Sequence, residues 1–355
     1  MLKSSLKSFG RPIWNRLRTR IGSEVDQRVN GAVARLAPAE KRIAALEAQL
    51  RALALRTQVL ENAEALLTKQ GVANLIQEHI FIPNAPVTGN DAPFMQYSTC
   101  SAADMMHPRY AEICRMIALP PMYQRKFWEW AYIIHHLHSA GALAEGKRGL
   151  GFGVGQERLP ALFAKLGCEI VATDAPPEIG VSSGWSTTGQ HSAALSELKF
   201  PAVVDDAVFD AKVSHRFCDM NLIDSSLTGF DFTWSSCCFE HLGSLEAGLQ
   251  FVINSVEKTL KPGGIAVHTT EYNLSSNDET VTDGPTVIYR RRDMEDLVSR
   301  LLARGHEVQP FIIAPHAHAL DFHVDAPPYT NNPHLKLRLL GHTTTSVGIF
   351  VRRTA

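Results

Sequence analysis

The sequence predicts an α/β fold, a mostly parallel sheet with helices on both faces, preceded by an N-terminal coiled-coil helix. Three observations carry it. The stretch Gly149 to Glu157, GLGFGVGQE, stands between a short strand led by Lys147, Arg148 and Leu150 and a run, QERLPALFAKLG, whose apolar residues recur at helical spacing. A second apolar strand, CEIVATD, ends in Asp174, about 20 residues after the loop, the separation at which a βαβ unit brings a carboxylate against a ribose. Strand-like and helix-like stretches then follow one another to the C-terminus.

The glycine spacing selects the ligand. A dinucleotide loop requires G-x-G-x-x-G so that a pyrophosphate rests on the helix N-terminus. Here glycine recurs at 149, 151, 153 and 155, with Gln156 where the third glycine would stand. No phosphate-gripping Ser/Thr or Lys follows, which excludes a P-loop. The G-x-G-x-G arrangement resembles motif I of the class I S-adenosylmethionine-dependent methyltransferases, and the resemblance extends over roughly residues 145 to 355.

That resemblance implies a Rossmann-like, seven-stranded sheet and S-adenosylmethionine as cofactor. It implies that Gly151, Gly153 and Gly155 form the cofactor loop, that Asp174 meets the ribose hydroxyls, and that Asp219 lies near the adenine amino group with Met220 packed on the ring. The family usually carries Asp or Glu where this chain has Gly149. FDFTWSSCCFEHL is similar to the family's fourth strand, whose end faces the transferred methyl group. Leu245, Leu249, Val252, Val256 and Leu260 mark one face of the next helix, opened by Ser244 and closed by Lys261 to Gly264. IAVHTT follows as a strand ending in Glu271, and FIIA with TTTSVGIFVRR matches the family's terminal antiparallel pair.

Methyl transfer from a sulfonium is an in-line displacement in which positioning supplies about 7–11 kcal/mol of the barrier. A hydroxyl acceptor also needs a base within hydrogen-bond reach, expected at a strand C-terminus. His241 and Glu271 are the candidate catalytic residues.

The formal charge of -1 and pI near 6.9 argue against a globally basic nucleic-acid binder. Six cysteines, at 100, 114, 168, 218, 237 and 238, form no C-x-x-C pair, which points to a reduced cytoplasm and away from structural zinc. Residues 1–22 interleave six Lys and Arg with apolar residues and no acid, a composition suited to peripheral contact with the inner face of an anionic membrane. Residues 23–80 read as a stalk. A heptad places Val29, Leu36, Ile43 and Leu50 at one apolar position and Leu46, Leu53, Leu60 and Leu67 at the other, the seam of a self-associating coiled coil. Residues 81–140 are a proline-containing connection and a helical lead-in, and 141–355 the main domain.

A coiled stalk with a basic N-terminal segment, set before such a domain, resembles enzymes that modify surface glycans or their nucleotide- or lipid-linked precursors, so the expected reaction is O-methylation of a sugar or glycan precursor and the expected partner a small-molecule or glycan acceptor. The alternative is a non-catalytic scaffold in a glycan-assembly complex, for which the missing acid at Gly149 is the support. Four further groups stand out. Arg125, Lys126 and Trp128 lie on the lead-in helix, within reach of the cofactor's carboxylate end or, for Trp128, in the core. Trp185, Gln190 and His191 suit a ligand wall or a surface loop. Arg290, Arg291 and Arg292 can meet an anion or solvent. Asp321, His323 and Asp325 alternate in DFHVD, which on an extended backbone aims all three at one face, toward metal, substrate or solvent.

Overall fold

The computed structural model describes residues 15–32, 42–43, 45–51, 53, 89, 91–176 and 195–354. The chain divides into two units, Met1–Leu55 and Arg56–Ala355.

In the first unit, residues 15–32 are helical, as are the described residues between 42 and 53. Their large apolar side chains, Leu17, Ile21, Val25 and Val29 on one stretch and Ile43, Leu46, Leu50 and Leu53 on the other, are between 47% and 65% exposed. Helix-surface pairs Glu24–Arg28 and Glu47–Arg51 follow the i,i+4 rule. Leu36, Leu60, Leu67 and the expected boundary at residue 80 lie outside the described residues. Among the described residues no helix is long and apolar enough to cross a membrane.

Five parallel strands carry the second unit: β1 (Arg148–Phe152), β2 (Glu169–Asp174), β3 (Val213–Phe217), β4 (Phe230–Ser236) and β5 (Leu260–Asn273). Their order, β3-β2-β1-β4-β5, reverses direction between β1 and β4, the arrangement of a doubly wound sheet. Four more strands complete it: β6 (Glu307–Val308), β7 (Val324–Asp325), β8 (Lys336–Leu339) and β9 (His342–Arg352). β9 runs antiparallel to β5, with β8 and then β7 beyond it, while β6 pairs with the far end of β9.

The sheet thus has nine strands among the described residues where seven were expected. Leu340 and Gly341, both with positive φ, make a two-residue turn that folds β8 back on β9 and extends that edge. The segment around Phe311 is no strand. Its backbone bonds instead to the stretch before the first helices, through Ser98 N to Ile312 O (2.7 Å) and Ala314 N to Thr99 Oγ1 (2.8 Å), and the strand meeting β9 there is β6.

Helices α1 (Pro108–Met116), α2 (Arg125–Ser139), α3 (Leu159–Lys165) and α4 (Asp206–Lys212) bury Ile113, Trp128, Phe163 and Phe209 with Phe232, Trp234, Ile265 and Val267 on one sheet face. On the other, α5 (Leu245–Asn254) and α6 (Arg291–Ala303) pack Leu249, Val252, Met294 and Leu297 against Leu150, Phe152, Val347 and Ile349. Local signals place the helix ends. The Ser244 hydroxyl accepts from Ala247 N at the start of α5. Gly141 and Gly305, both at positive φ, follow α2 and α6.

β1 is glycine-rich because β4 lies across it. Gly149 pairs with Phe232 and Gly151 with Trp234, and a Cβ at either position would enter the ring opposite. The two rings stack 5.9 Å apart, and Phe163 of α3 meets Trp234 edge-on at 5.0 Å.

Candidate functional site

The reversal between β1 and β4 opens a crevice at the carboxyl ends of the strands, where open α/β sheets receive ligands. Gly153, Asp174, Asp219, Met220, Cys238 and His241 are on its wall. Gly153 turns the chain at φ +57, and a Cβ there would stand 2.9 Å from Cys238 Sγ, so only glycine leaves this side open. Val154 N bonds to Thr173 O (3.1 Å) and the Thr173 hydroxyl to Gly151 O (2.8 Å), which tie the loop to β2. Asp174 is buried at the tip of β2, accepting from Ala175 N (2.8 Å), while its carbonyl accepts from Cys218 N (2.9 Å) and draws the end of β3 alongside. Asp219 accepts from Asn221 N (2.8 Å), and Met220 adds a buried apolar surface.

His241 comes from the 3-10 turn Phe239–His241 after β4. Its Nδ1 lies 2.8 Å from Pro285 O, which can only accept, so Nδ1 carries the proton and Nε2 is the nitrogen with a lone pair in the neutral ring.

The remaining sequence-predicted residues are elsewhere. Gly151 lies within β1 beneath Trp234, where it serves packing. Gly155, at φ +51, shapes the loop without reaching the crevice wall. Glu271 is buried inside β5 and paired with Arg125 of α2. Burial raises its carboxyl above the ordinary range against the pull of Arg125.

Glu271 belongs to a charged cluster between α2 and the tips of β4 and β5. Glu129 accepts from Arg125 (3.3 Å), Lys126 (3.2 Å), Ser236 Oγ (3.2 Å) and the Ser346 hydroxyl. Burial would raise Glu129, but Lys126 and Arg125 hold it below its ordinary value. Lys126 Nζ also donates to Ser236 O (2.7 Å). Cys237, at φ +54, places Sγ 2.6 Å from Glu240 Oε1, and Glu240 accepts from the Thr270 hydroxyl (2.8 Å). Cys237, Glu240 and Glu271 offer ligand atoms within 4.8 Å of one another, but the Arg125 guanidinium already supplies the cation there.

Glu157 follows the glycine loop directly. It is buried, and its two oxygens accept from the indole N–H groups of Trp130 (2.9 Å) and Trp234 (3.2 Å). Burial pushes its carboxyl up to about 7. The sequence signal for the Arg125–Glu129 pair was the i,i+4 spacing on α2. Glu157 and Glu240 gave none, because Trp130, Trp234 and Thr270 come from distant parts of the chain.

One expectation is corrected. DFHVD does not alternate on an extended strand, since Ala319–Phe322 is a 3-10 turn. Asp321 accepts from Ala102 N (3.0 Å), His318 N (3.1 Å) and Lys336 Nζ (3.3 Å), whereas Asp325 accepts from Thr330 N (3.1 Å) and meets His334 Nδ1 at 2.6 Å. Each carboxylate ties its own loop. Arg290 and Arg292 hold the loop after β5, through Asp278 O (2.7 and 3.0 Å), and Arg291 pairs with Glu295. Trp185, Gln190 and His191 lie outside the described residues.

No protein-family model matches the chain, and no curated protein matches it. Among solved structures it is similar to phosphoethanolamine N-methyltransferase 2 of Haemonchus contortus in complex with S-adenosyl-L-methionine, at 18% identity and TM-score 0.32, covering 50% of this chain and 38% of that one. It is also similar to a 1,6-didemethyltoxoflavin-N1-methyltransferase of Burkholderia thailandensis with bound S-adenosylhomocysteine (15% identity, 62% and 76% covered, TM-score 0.35). A third is the CcbJ methyltransferase of Streptomyces caelestis (12%, 61% and 92%, TM-score 0.35).

Proposed function

We propose that this chain is an S-adenosylmethionine-dependent methyltransferase that O-methylates a sugar or glycan precursor. One observation carries the reading. A single crevice at the sheet's switch point gathers a glycine turn, a buried carboxylate at the tip of β2, a carboxylate and methionine after β3, and an imidazole after β4. These groups fit the cofactor: Asp174 suits ribose hydroxyls, Asp219 the adenine amino group, Met220 the ring face, and Gly153 leaves the approach open. When bound, S-adenosylmethionine supplies a methyl carbon on a sulfonium whose thioether leaves neutral.

The chain's own residues orient the acceptor and move its proton. His241, its Nδ1–H fixed on Pro285 O, presents Nε2 as base for an acceptor hydroxyl, which is what an oxygen nucleophile requires. Glu271, the other candidate, is engaged by Arg125 and serves to hold α2 against the site. The absence of an acid at Gly149 has a packing cause in the Phe232 ring, so the observation that favoured a scaffold with a vestigial domain no longer does. The exposed heptad of the first unit supports self-association as a coiled coil, and residues 1–22 peripheral membrane contact.

Purified protein incubated with methyl-labelled S-adenosylmethionine and nucleotide- or lipid-linked sugars tests the activity. Label in the sugar, with a mass gain of one methylene, is the expected result. Cofactor binding without transfer to any hydroxyl acceptor would leave the scaffold reading standing.

A further inference from the structure

The end of β5, the loop after it, the start of α6 and the segment from Ile313 to His316 enclose a cleft of about 450 Å³. It shares no wall residue with the crevice. Because β5 runs parallel to β4, and β4 to β1, the cleft opens on the same edge of the sheet, at the carboxyl ends of the strands. Its walls are held by the protein itself. Asn273 accepts from Ser275 N (2.8 Å) and Ser276 N (3.2 Å) and donates to Glu279 O (3.0 Å), while Ser275 Oγ accepts from Thr343 N (2.6 Å). On the other segment, Ile312 N bonds to Ser98 Oγ (3.1 Å) and Ala314 N to Thr99 Oγ1 (2.8 Å). The volume is that of a small-molecule site.

What these walls present is hydrogen-bond donors. Tyr272 is 2% exposed, with its ring packed edge-on against Phe311 at 5.9 Å, and its hydroxyl has no hydrogen-bond partner among the described residues. Arg291 gives Nε to Glu295 (2.7 Å), which leaves both Nη atoms without a partner among the described residues. Arg290 and Arg292, by contrast, are engaged at Asp278 O. Ser276 Oγ already accepts from Asp278 N (3.0 Å) and Glu279 N (2.9 Å), and Asn277 Oδ1 from Arg292 N (2.9 Å), so the Ser276 O–H and the Asn277 amide N–H groups remain to donate. No Asp or Glu is on the described wall, and Leu274, Ile313 and Ala314 give it an apolar side. Donors converging beside an apolar surface suit a ligand rich in acceptor oxygens that also has C–H faces, and the guanidinium selects a negative charge.

We propose that this cleft recognises an anionic saccharide, a hexose unit bearing a phosphate or a carboxylate, with Arg291 on the anion, Tyr272, Ser276 and Asn277 on the sugar oxygens, and Ile313 on the C–H face. A ligand held this way has its charged group outside the methyl-transfer crevice, so the cleft grips the acceptor by a part that does not react. Its assignment to the acceptor rests on the methyltransferase reading above, whereas the binding itself does not.

Ligand-observed NMR titration of the full chain tests it, with the 1-phosphates of glucose, galactose and mannose, their methyl hexuronides, the neutral methyl hexosides, and the bare anions phosphate and acetate. At least one anionic hexose should bind, and its neutral counterpart and the matching bare anion should each bind about tenfold or more weakly. Which series binds tells phosphate from carboxylate. Arg291→Gln should weaken the anionic hexose by about tenfold or more, the loss of a charge-assisted contact. Tyr272→Phe keeps the ring against Phe311 and should weaken it by about threefold or more. The affinity for S-adenosylhomocysteine should stay the same in both variants, which also certifies that they are folded. The inference is overturned if no anionic hexose binds the wild type, if a bare anion binds as well as the hexose that carries it, or if either substitution leaves the affinity unaltered. Binding of an anionic hexose by a wild-type protein that takes up no S-adenosylhomocysteine would keep the site and remove the methyltransferase reading.

Discussion

Replacing Glu157 by glutamine should abolish a loss of stability that the wild type suffers as pH rises from 5 to 8. The carboxyl stands at about 7 in the folded chain against an ordinary 4.5, because burial disfavours its charged form. A group with a raised folded-state pKa contributes stability that is complete below about 4.5 and is lost as pH rises through about 7. At about 1.4 kcal/mol for each pH unit of difference, the loss is about 3 kcal/mol. Glutamine carries no such proton. Urea unfolding of the full chain, followed by tryptophan fluorescence at pH 5 and pH 8, reads the effect as the difference between wild type and Glu157→Gln. The variant should gain about 2–3 kcal/mol relative to wild type between the two pH values. A difference that does not change with pH would show that Glu157 is not held uncharged by its surroundings, and the reasoning would fail.

Restoring an acid at the head of the loop, by Gly149→Asp, should destabilise the domain by about 3 kcal/mol or more, since the new Cβ enters the Phe232 ring; a melting curve no lower than wild type would contradict this. His241→Asn should slow methyl transfer to a hydroxyl acceptor by about 10²–10⁴-fold while the affinity for S-adenosylhomocysteine changes little, as measured by initial rates and calorimetry. The double substitution Leu46→Asp and Leu53→Asp should convert an oligomer into a monomer in light scattering, with the melting of the second unit unchanged.

What was legible in the sequence was local. Glycine loop, strand and Asp174 were readable because the turn needs small residues and the strand its apolar run. The Ser244 cap and the Gly141 and Gly305 stops act through backbone chemistry a few residues long. The arrangement of Asp174, Asp219, Met220 and His241 around one crevice followed from the strand order. What was not legible depends on side chains meeting across the fold. The role of Gly149 is set by Phe232 on a neighbouring strand. Glu157 draws its meaning from Trp130 and Trp234, and Glu271 from Arg125 on a helix far earlier in the chain. The alternation in DFHVD misled because Asp321 closes a turn through His318 N, a competing local bond that period-two reasoning does not weigh. The extra edge strands arose from a two-residue turn at Leu340 and Gly341, where leucine at positive φ gives no warning.

Calorimetric titration of S-adenosylhomocysteine into the wild-type protein and into Asp174→Ala addresses the central claim most directly. The wild type should bind, and loss of the carboxylate at the tip of β2, on the crevice wall, should weaken it by about 10–100-fold, the worth of the hydrogen bonds it would make to two ribose hydroxyls. Heat indistinguishable from dilution in the wild type, or the same affinity in both proteins, would contradict the account.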